Sequence, residues 1–110
     1  MRIVNRATFL ALPENTVFSK YKPCVFDEIA VKGETMGNDF VTQRVSDAIE
    51  APNSCEFIDL LLRAEKTGES MKMDFDCGSR DGLFDAGQLF AVWEEADVRG
   101  LIELLKTCIK

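Results

Sequence analysis

The residues best suited to chemistry lie in one short stretch, MDFDCGSRDGLFDAG, at positions 73 to 87. It contains the carboxylates Asp74, Asp76, Asp81 and Asp85 among three glycines. Carboxylates at this density can hold Mg²⁺, or act as general acid and base if their pKa values are pushed apart. An EF-hand is excluded, because neither the register from Asp74 nor that from Asp76 supplies the required glycine and glutamate. One hypothesis is therefore a magnesium-dependent carboxylate enzyme that uses Asp74, Asp76 and Asp81.

The same stretch is also typical of exposed turns. Asp81-Gly82 can supply the left-handed backbone of a hairpin turn, and Asp85-Ala86-Gly87 a second tight turn. On this interpretation Asp74 and Asp76 are simply the solvent face of a strand. It is the interpretation we prefer, because acidic runs usually form solvated faces and bind no metal.

Other catalytic classes lack the residues that they need. The chain contains no histidine, which excludes Ser–His and Cys–His nucleophile pairs and histidine general bases. It also contains no phosphate-binding glycine loop. We therefore predict a protein that is not an enzyme and that uses no cofactor.

The four cysteines are widely spaced, without the paired CxxC knuckles of most zinc sites. We expect them to be thiols in a reducing compartment, packed like small hydrophobic residues. The side of a strand that Cys77 shares with methionine and phenylalanine predicts a buried, unreactive thiol there. The four positions are Cys24, Cys55, Cys77 and Cys108.

A chain of 110 residues, 46% hydrophobic and 29% charged, suits one globular domain over residues 1–110. Caps and hydrophobic periodicity predict an α+β fold in the order α-β-β-β-α-β-β-α. We expect a mainly antiparallel sheet of about five strands with three helices packed on it. The predicted helices cover 6–12, 53–67 and 95–109, and the predicted strands cover 16–21, 25–32, 39–45, 71–77 and 88–94.

Alternation predicts the buried side of two strands. Residues 71–77, MKMDFDC, give the clearest half-buried strand, because four apolar side chains alternate with three charged ones. In strand 25–32, one face carries apolar residues and the other carries Glu28 and Lys32. The apolar face consists of Val25, Ile29 and Val31.

Negative charge is concentrated toward the end of the chain. The net charge is −6, and residues 69 to 97 alone carry eight acids against Lys72 and Arg80, which also amounts to −6. Such an end can dock a basic protein surface, since complementary potentials steer association. The residues predicted to bind this partner are Asp74, Asp76, Asp81, Asp85, Glu94 and Glu95.

The opening residues RIVNRATFLALPENTVFSKY resemble the starts of small uncharacterised phage and prophage proteins. The resemblance implies an accessory protein of a mobile element, and such proteins often act by binding a host protein. Some inhibit host defence nucleases. The resemblance covers about the first fifth of the chain and assigns no residue a role.

These observations lead to one main hypothesis about function and partners. We predict a small non-enzymatic protein that binds a basic host protein such as a nucleic-acid enzyme or a defence nuclease, and inhibition is one role that such binding can serve. The acidic balance argues against direct binding to nucleic acid or anionic membranes. The absence of a signal-peptide core and of a bilayer-spanning stretch predicts the cytoplasm. A further alternative is a homo-oligomeric assembly protein that pairs through an edge strand at 16–21.

Overall fold

The computed structural model describes residues 1–110 and has an α+β fold, as the sequence predicts. Six strands form one antiparallel sheet in the order β1-β6-β2-β3-β4-β5, accompanied by three helices. No helix has both the length and the apolar composition that crossing a membrane requires. The elements are β1 (Arg2–Val4), α1 (Arg6–Leu10), β2 (Thr16–Lys22), β3 (Val25–Met36), β4 (Asp39–Arg44), α2 (Ser54–Thr67), β5 (Ser79–Arg80), β6 (Leu89–Val92) and α3 (Glu95–Lys106).

The core lies between α1 and one face of the sheet. Asn5 caps α1 with its side-chain oxygen, which accepts a hydrogen bond from the Thr8 amide at 2.9 Å. The helix places Phe9, which is fully buried, onto the ring of Phe90, with centroids 3.9 Å apart and planes inclined by 4°. Phe18 and Phe40 present their edges to Phe9 at 4.7 and 5.0 Å. This four-ring cluster forms the centre of the hydrophobic core.

The predicted strand at 71–77 is wrong. Only Met73 makes a bridge, to Ile49, and the side chains of Met73 and Phe75 are 41% and 62% exposed. The carboxylate of Asp74 accepts a hydrogen bond from the Asp76 amide, a local turn that competes with strand pairing. Apolar and charged side chains alternate here as they do in a strand. The local hydrogen bonds nevertheless fold these residues into a turn, so they do not form a continuous ladder of hydrogen bonds with another strand.

The sheet position beside β4 is taken instead by β5, which pairs Arg80 with Val41 and Ser79 with Thr42. Gly78 leads into this pair, and a Cβ there would lie 3.0 Å from the Val41 side chain. The close approach therefore favours glycine at this position, because a larger residue would push the Val41 side chain aside. Gly82 has the left-handed backbone expected of it, at φ +69°, but Asp81-Gly82 follows β5, forms no turn and does not join strands 71–77 and 88–94.

The predicted orientation of strand 25–32 is also wrong, because the core side of β3 carries Ala30 and Lys32. Register decides this: Ala30 pairs with Phe18, so the two face the core together. Val25, expected on the buried side, is 61% exposed, whereas Lys32 is 1% exposed. The Lys32 ammonium donates to the Gly33 carbonyl at 3.1 Å and the Thr35 hydroxyl at 2.6 Å. Burial therefore lowers the pKa of Lys32.

Strand 16–21 is not an edge strand, which corrects the predicted route to self-association. β2 lies between β6 and β3 and pairs with both. The edges of the sheet are β1 and β5, which are three and two residues long. Such short edges leave little backbone for another chain to pair with. The sequence did not predict β1, whose three residues pair with β6 from Arg2↔Val92 to Val4↔Phe90.

All four cysteines are exposed, so the prediction of buried thiols is wrong. The Cys77 thiol donates to the Asp74 carbonyl at 3.2 Å and so belongs to the turn that replaces the predicted strand. Cys55 lies in the first turn of α2, and Cys108 lies two residues after the end of α3. Neither α2 nor α3 contains a buried residue, in contrast to α1.

Candidate functional site

The helix α2 supplies the largest groove of the molecule. Its cap is the one predicted: the Asn53 side-chain oxygen accepts a hydrogen bond from the Glu56 amide at 2.9 Å. It ends at Gly68, whose φ of +71° is the left-handed conformation that glycine adopts without strain. Between these ends, Phe57 is half-buried and lies under the Arg44 guanidinium, 5.4 Å from the ring centre. This contact ties α2 to β4.

The outer side of α2 remains open. Ile58 and Leu62 are 54% and 52% exposed, although they flank the half-buried stripe that the sequence predicts. Together with Leu61 and Met71 they line a groove of about 620 Å³. We call this the α2 groove; its lining also includes Ala64, Gly68 and the acids Glu65 and Glu69. An apolar floor beside two carboxylates is typical of a protein-binding surface.

The acidic stretch continues directly from the α2 groove. The chain leaves the groove at Met71 and goes on through Asp74 and Asp76. The amide of Asp74 donates to the Ala48 carbonyl at 2.7 Å. The side chain of Gln43 donates to the Asp74 carbonyl at 3.1 Å and accepts from the Cys77 amide at 2.7 Å. These bonds hold the turn against β4 while Asp76 remains exposed.

Asp81 and Asp85 serve local structure. The Asp81 carboxylate, 6% exposed, forms an ion pair of 2.6 Å with Lys20 on β2. Asp85 accepts a hydrogen bond from the Gly87 amide at 3.0 Å, which stabilises the second predicted turn. A base from outside the acidic region therefore neutralises one of these two carboxylates.

Glu94 and Glu95 lie at the start of α3. The terminal ammonium of Met1 is 3.2 Å from Glu94 and 2.7 Å from Asp97. The hydrogen bond from this ammonium lowers the pKa of Asp97, and its partners raise the pKa of the ammonium itself. Glu95 pairs with Arg99 one turn later at 2.6 Å. Here too, cations from outside residues 69 to 97 offset the charge that the sequence concentrates there.

The six acids predicted to bind a partner thus lie in separate surroundings. Asp76 is the one whose carboxylate accepts no hydrogen bond within the chain. Asp74, Asp76 and Asp81 do not form a group that could hold a metal ion; the chain contains no cluster of three or more such ligands. The three carboxylates of the magnesium hypothesis are therefore not gathered at one point.

Asp39 is an important residue that sequence reasoning missed. It is fully buried, and its carboxylate accepts hydrogen bonds from Arg80 at 2.9 Å and from the Gly82 amide at 3.0 Å. The Gly82 amide is the main cause of its lowered pKa. Asp39 thereby fastens the aspartate-rich loop to β4. Its partners are 41 and 43 residues away, a distance at which local periodicity gives no signal.

A second polar cluster lies at the open end of the core face of the sheet. A cavity of about 170 Å³ is lined by Lys20, Glu28, Arg44 and Asp81, among others. The neighbouring carboxylate of Asp47 is the main cause of the raised pKa of Glu28. One Asp47 oxygen is buried without a hydrogen-bond partner. The Glu28 and Asp47 carboxyl groups are therefore close neighbours at this end of the sheet.

Comparisons with known proteins add no relative. No protein-family model matches the chain, and neither a curated protein nor a solved structure is significantly similar to it. The resemblance of the first residues to phage proteins therefore stays a prediction.

Proposed function

We propose that this protein is a non-enzymatic accessory protein that binds a basic protein partner through the α2 groove and the acidic stretch beyond it. The main support is the amount of surface it leaves uncovered. A folded chain of 12.3 kDa is expected to expose about 6,100 Å². This one exposes 7624 Å², and only 12 of its 110 residues are buried. A standard interface covers about 800 Å² on each partner, so a surplus of about 1,500 Å² is enough for one interface and close to enough for two.

The shape of the molecule supports the same conclusion. Its radius of gyration is 15.5 Å, whereas about 13 Å is expected for this length. The excess arises because α2 and α3 cover little of the sheet and bury no residue of their own. Apolar helix faces that the fold does not use are available to a second protein.

The lining of the α2 groove indicates the chemistry of the partner. The groove is lined by the apolar side chains of Ile58, Leu62 and Met71, which can contact apolar side chains of a partner. Glu65 and Glu69 also line it. Glu69 forms an ion pair with Arg63, so Glu65 and the exposed Asp76 are the carboxylates that remain free for a partner. An amphipathic segment with leucine-like anchors and flanking lysines or arginines satisfies both requirements. We therefore expect a partner with a basic, partly apolar helix.

Nucleic-acid enzymes are a partner class with such surfaces, because they must bind phosphates through lysine and arginine. A defence nuclease is the member of this class that the resemblance to phage accessory proteins suggests. A protein seated on such a basic surface would block access of nucleic acid, so inhibition is the expected consequence of binding. No acid in the chain needs to imitate a nucleic-acid backbone for this to work.

The test combines a defined peptide series with lysate capture. A basic amphipathic helical peptide should bind with affinity that falls as salt rises, whereas an equally basic peptide without leucines should bind more weakly. Leu62→Glu should abolish binding through the floor, and Asp76→Lys should slow association. Lysate capture with wild type and both variants, with nuclease added, identifies the natural partner as the protein that Leu62→Glu loses and that Asp76→Lys captures more slowly.

The matched control is Leu104→Glu on α3, which adds the same charge on a different surface. It should bind the peptide as the wild type does. Equal binding by wild type and the Leu62→Glu variant would contradict the proposal, since a groove that tolerates a buried carboxylate is not the docking site.

A further inference from the structure

We propose that the apolar face of α3 pairs with α3 of a second copy of this chain, in an antiparallel arrangement about a two-fold axis. This goes beyond the proposed function, because it concerns a different surface and a different occupant. The helix buries no residue. Its exposed side chains are large and apolar, with exposures of 47% at Ile102, 62% at Leu104 and 52% at Leu105, and Ile109 just after the helix is 82% exposed.

Four of the five charged residues of α3 are already engaged along one stripe. Glu95 pairs with Arg99 and Glu103 with Lys106, at 2.6 and 2.9 Å. The fifth, Asp97, pairs with the Met1 ammonium, and the other side chains on that side of the helix are apolar. Near its middle, no atom lies within 4 Å of the position that a Cβ of Gly100 would occupy. A second helix can therefore approach closely at this point.

A groove runs beside this face. It has a volume of about 460 Å³ and is lined by Trp93, Leu101 and Leu104, with Met1, Ala96, Asp97 and Gly100. Trp93 is the only tryptophan in the chain and is half-buried, so it reports on whether the groove is covered. Side chains such as Leu105 of a second copy are the right size and polarity to enter it.

Charge favours a second copy and fixes its direction. The start of α3 carries Glu94, Glu95 and Asp97 against the Met1 ammonium and Arg99, whereas residues 100 to 110 carry one acid against Lys106 and Lys110, a net charge of +1. A two-fold antiparallel pair places each acidic end over the basic end of its neighbour, and the contact occurs twice. The helix dipoles oppose each other in this arrangement as well. A parallel pair would bring like charges together.

The available area is sufficient for this pairing and for the α2 groove together. A standard interface covers roughly 800 Å² on each partner. The chain exposes about 1,500 Å² more than a compact monomer of its mass. Self-association through α3 would therefore leave about 700 Å² of this surplus, close to the area of one further interface, for a basic partner at α2, and the dimer would present two such grooves.

Sedimentation equilibrium of the full chain, from micromolar to millimolar concentration, tests the proposal. The wild type should show a monomer–dimer equilibrium, with a change in Trp93 fluorescence over the same range. Leu104→Glu combined with Leu105→Glu should raise the dimer dissociation constant by roughly a hundredfold, because two leucines lose their burial. Circular dichroism should show both chains equally folded, since both leucines are exposed in the monomer. Leu62→Glu on α2 is the control and should dimerise normally.

A charge exchange tests the direction of the pair. Lys110→Glu should weaken the dimer, and adding Glu95→Lys should restore it, because the exchanged charges again face each other across an antiparallel interface. A monomer at all concentrations, or a dimer that the α3 double substitution leaves intact, would overturn the pairing. A dimer that Glu95→Lys fails to restore would overturn its antiparallel direction.

The two proposals can fail independently. Loss of peptide binding in Leu62→Glu with an intact dimer supports the function at α2 whatever happens at α3. Loss of the dimer in the α3 double variant with intact peptide binding supports the pairing whatever partner α2 takes.

Discussion

Two apolar regions of this chain differ in almost every respect. Around α1, a helix of five residues buries Phe9 against three further rings from the sheet. The helices α2 and α3 are 14 and 12 residues long and bury nothing completely. The short helix therefore contributes most to the buried core, whereas the two long helices contribute mainly solvent-exposed surface. Helix length and amphipathicity do not by themselves show that a helix belongs to the core.

The sharpest test of this division is Phe9→Ala. Phe9 contacts all three other rings of the core, so its removal leaves a cavity that the sheet cannot close. We expect a loss of about 3–5 kcal/mol in the free energy of unfolding. Urea denaturation followed by circular dichroism measures this loss. A loss below about 1 kcal/mol would show that the core is not where the four rings place it.

The second largest effect concerns the link between the sheet and the aspartate-rich loop. Asp39→Asn removes the charge that Arg80 and the Gly82 amide contact. The pKa of Asp39 is lowered in the fold, so its stabilisation is present above the unfolded value and is lost as pH falls through the folded value. The variant should be less stable at neutral pH, and the two chains should converge in acid.

Denaturation midpoints of both chains from pH 7 down to about pH 2 measure this convergence. Amide hydrogen exchange of residues 78 to 82 should also accelerate in the variant, because the loop loses its anchor. Asp85→Asn, which alters an exposed turn, is the control. A constant stability difference at every pH would mean that Asp39 acts by shape and not by charge.

How far the sequence predicts the fold depends on the range of the interaction concerned. Caps and turns are local, and Asn5, Asn53, Gly68 and Gly82 do what their residue types predict. The fold class follows from the same signals. Pairing partners are non-local, which is why residues 71–77 alternate like a strand and yet pair with a neighbour only at the Met73–Ile49 bridge.

The candidate site was predictable in part. Charge counts identify the acidic region, but they do not reveal that Lys20, Arg99 and the Met1 ammonium neutralise several of its members. The half-buried stripe of α2 follows from its periodicity, whereas its exposed neighbours Ile58 and Leu62 were not singled out, because the sequence does not show how much of a helix the sheet covers. Burial of Lys32 was missed because the register between β2 and β3 decides which face of a strand is inside.

A smaller effect is expected at the polar end of the core face. Glu28 has a pKa above its usual value, mainly because of the Asp47 carboxylate. A carboxyl group with a raised folded pKa binds its proton more tightly in the native state, so stability falls as pH rises from the unfolded value through the folded one. Glu28→Gln removes this loss. It should stabilise the protein near neutral pH by less than about 1 kcal/mol, since the site is exposed to solvent.

Thermal denaturation at pH 4 and pH 7 gives the comparison, with the advantage of the Glu28→Gln variant confined to the higher pH. Glu34→Gln, at the other end of β3, removes the same charge away from Asp47 and serves as the control. An equal gain in both variants would assign the effect to net charge rather than to the carboxyl pair.

The smallest effect on stability separates the two regions most clearly. Leu62→Ser and Leu104→Ser remove large apolar side chains from α2 and α3, but each is more than half exposed. We expect changes in the free energy of unfolding within about 0.5 kcal/mol, measured on dilute protein so that no association contributes. At high concentration, Leu104→Ser should lose the additional stability that dimer formation gives the wild type, because a partner that binds only the native state raises its stability. Leu62→Ser should keep it. A large loss of unfolding free energy for either variant in dilute solution would mean that these helix faces stabilise the monomer. The division between a stabilising α1 and two exposed longer helices would then be wrong.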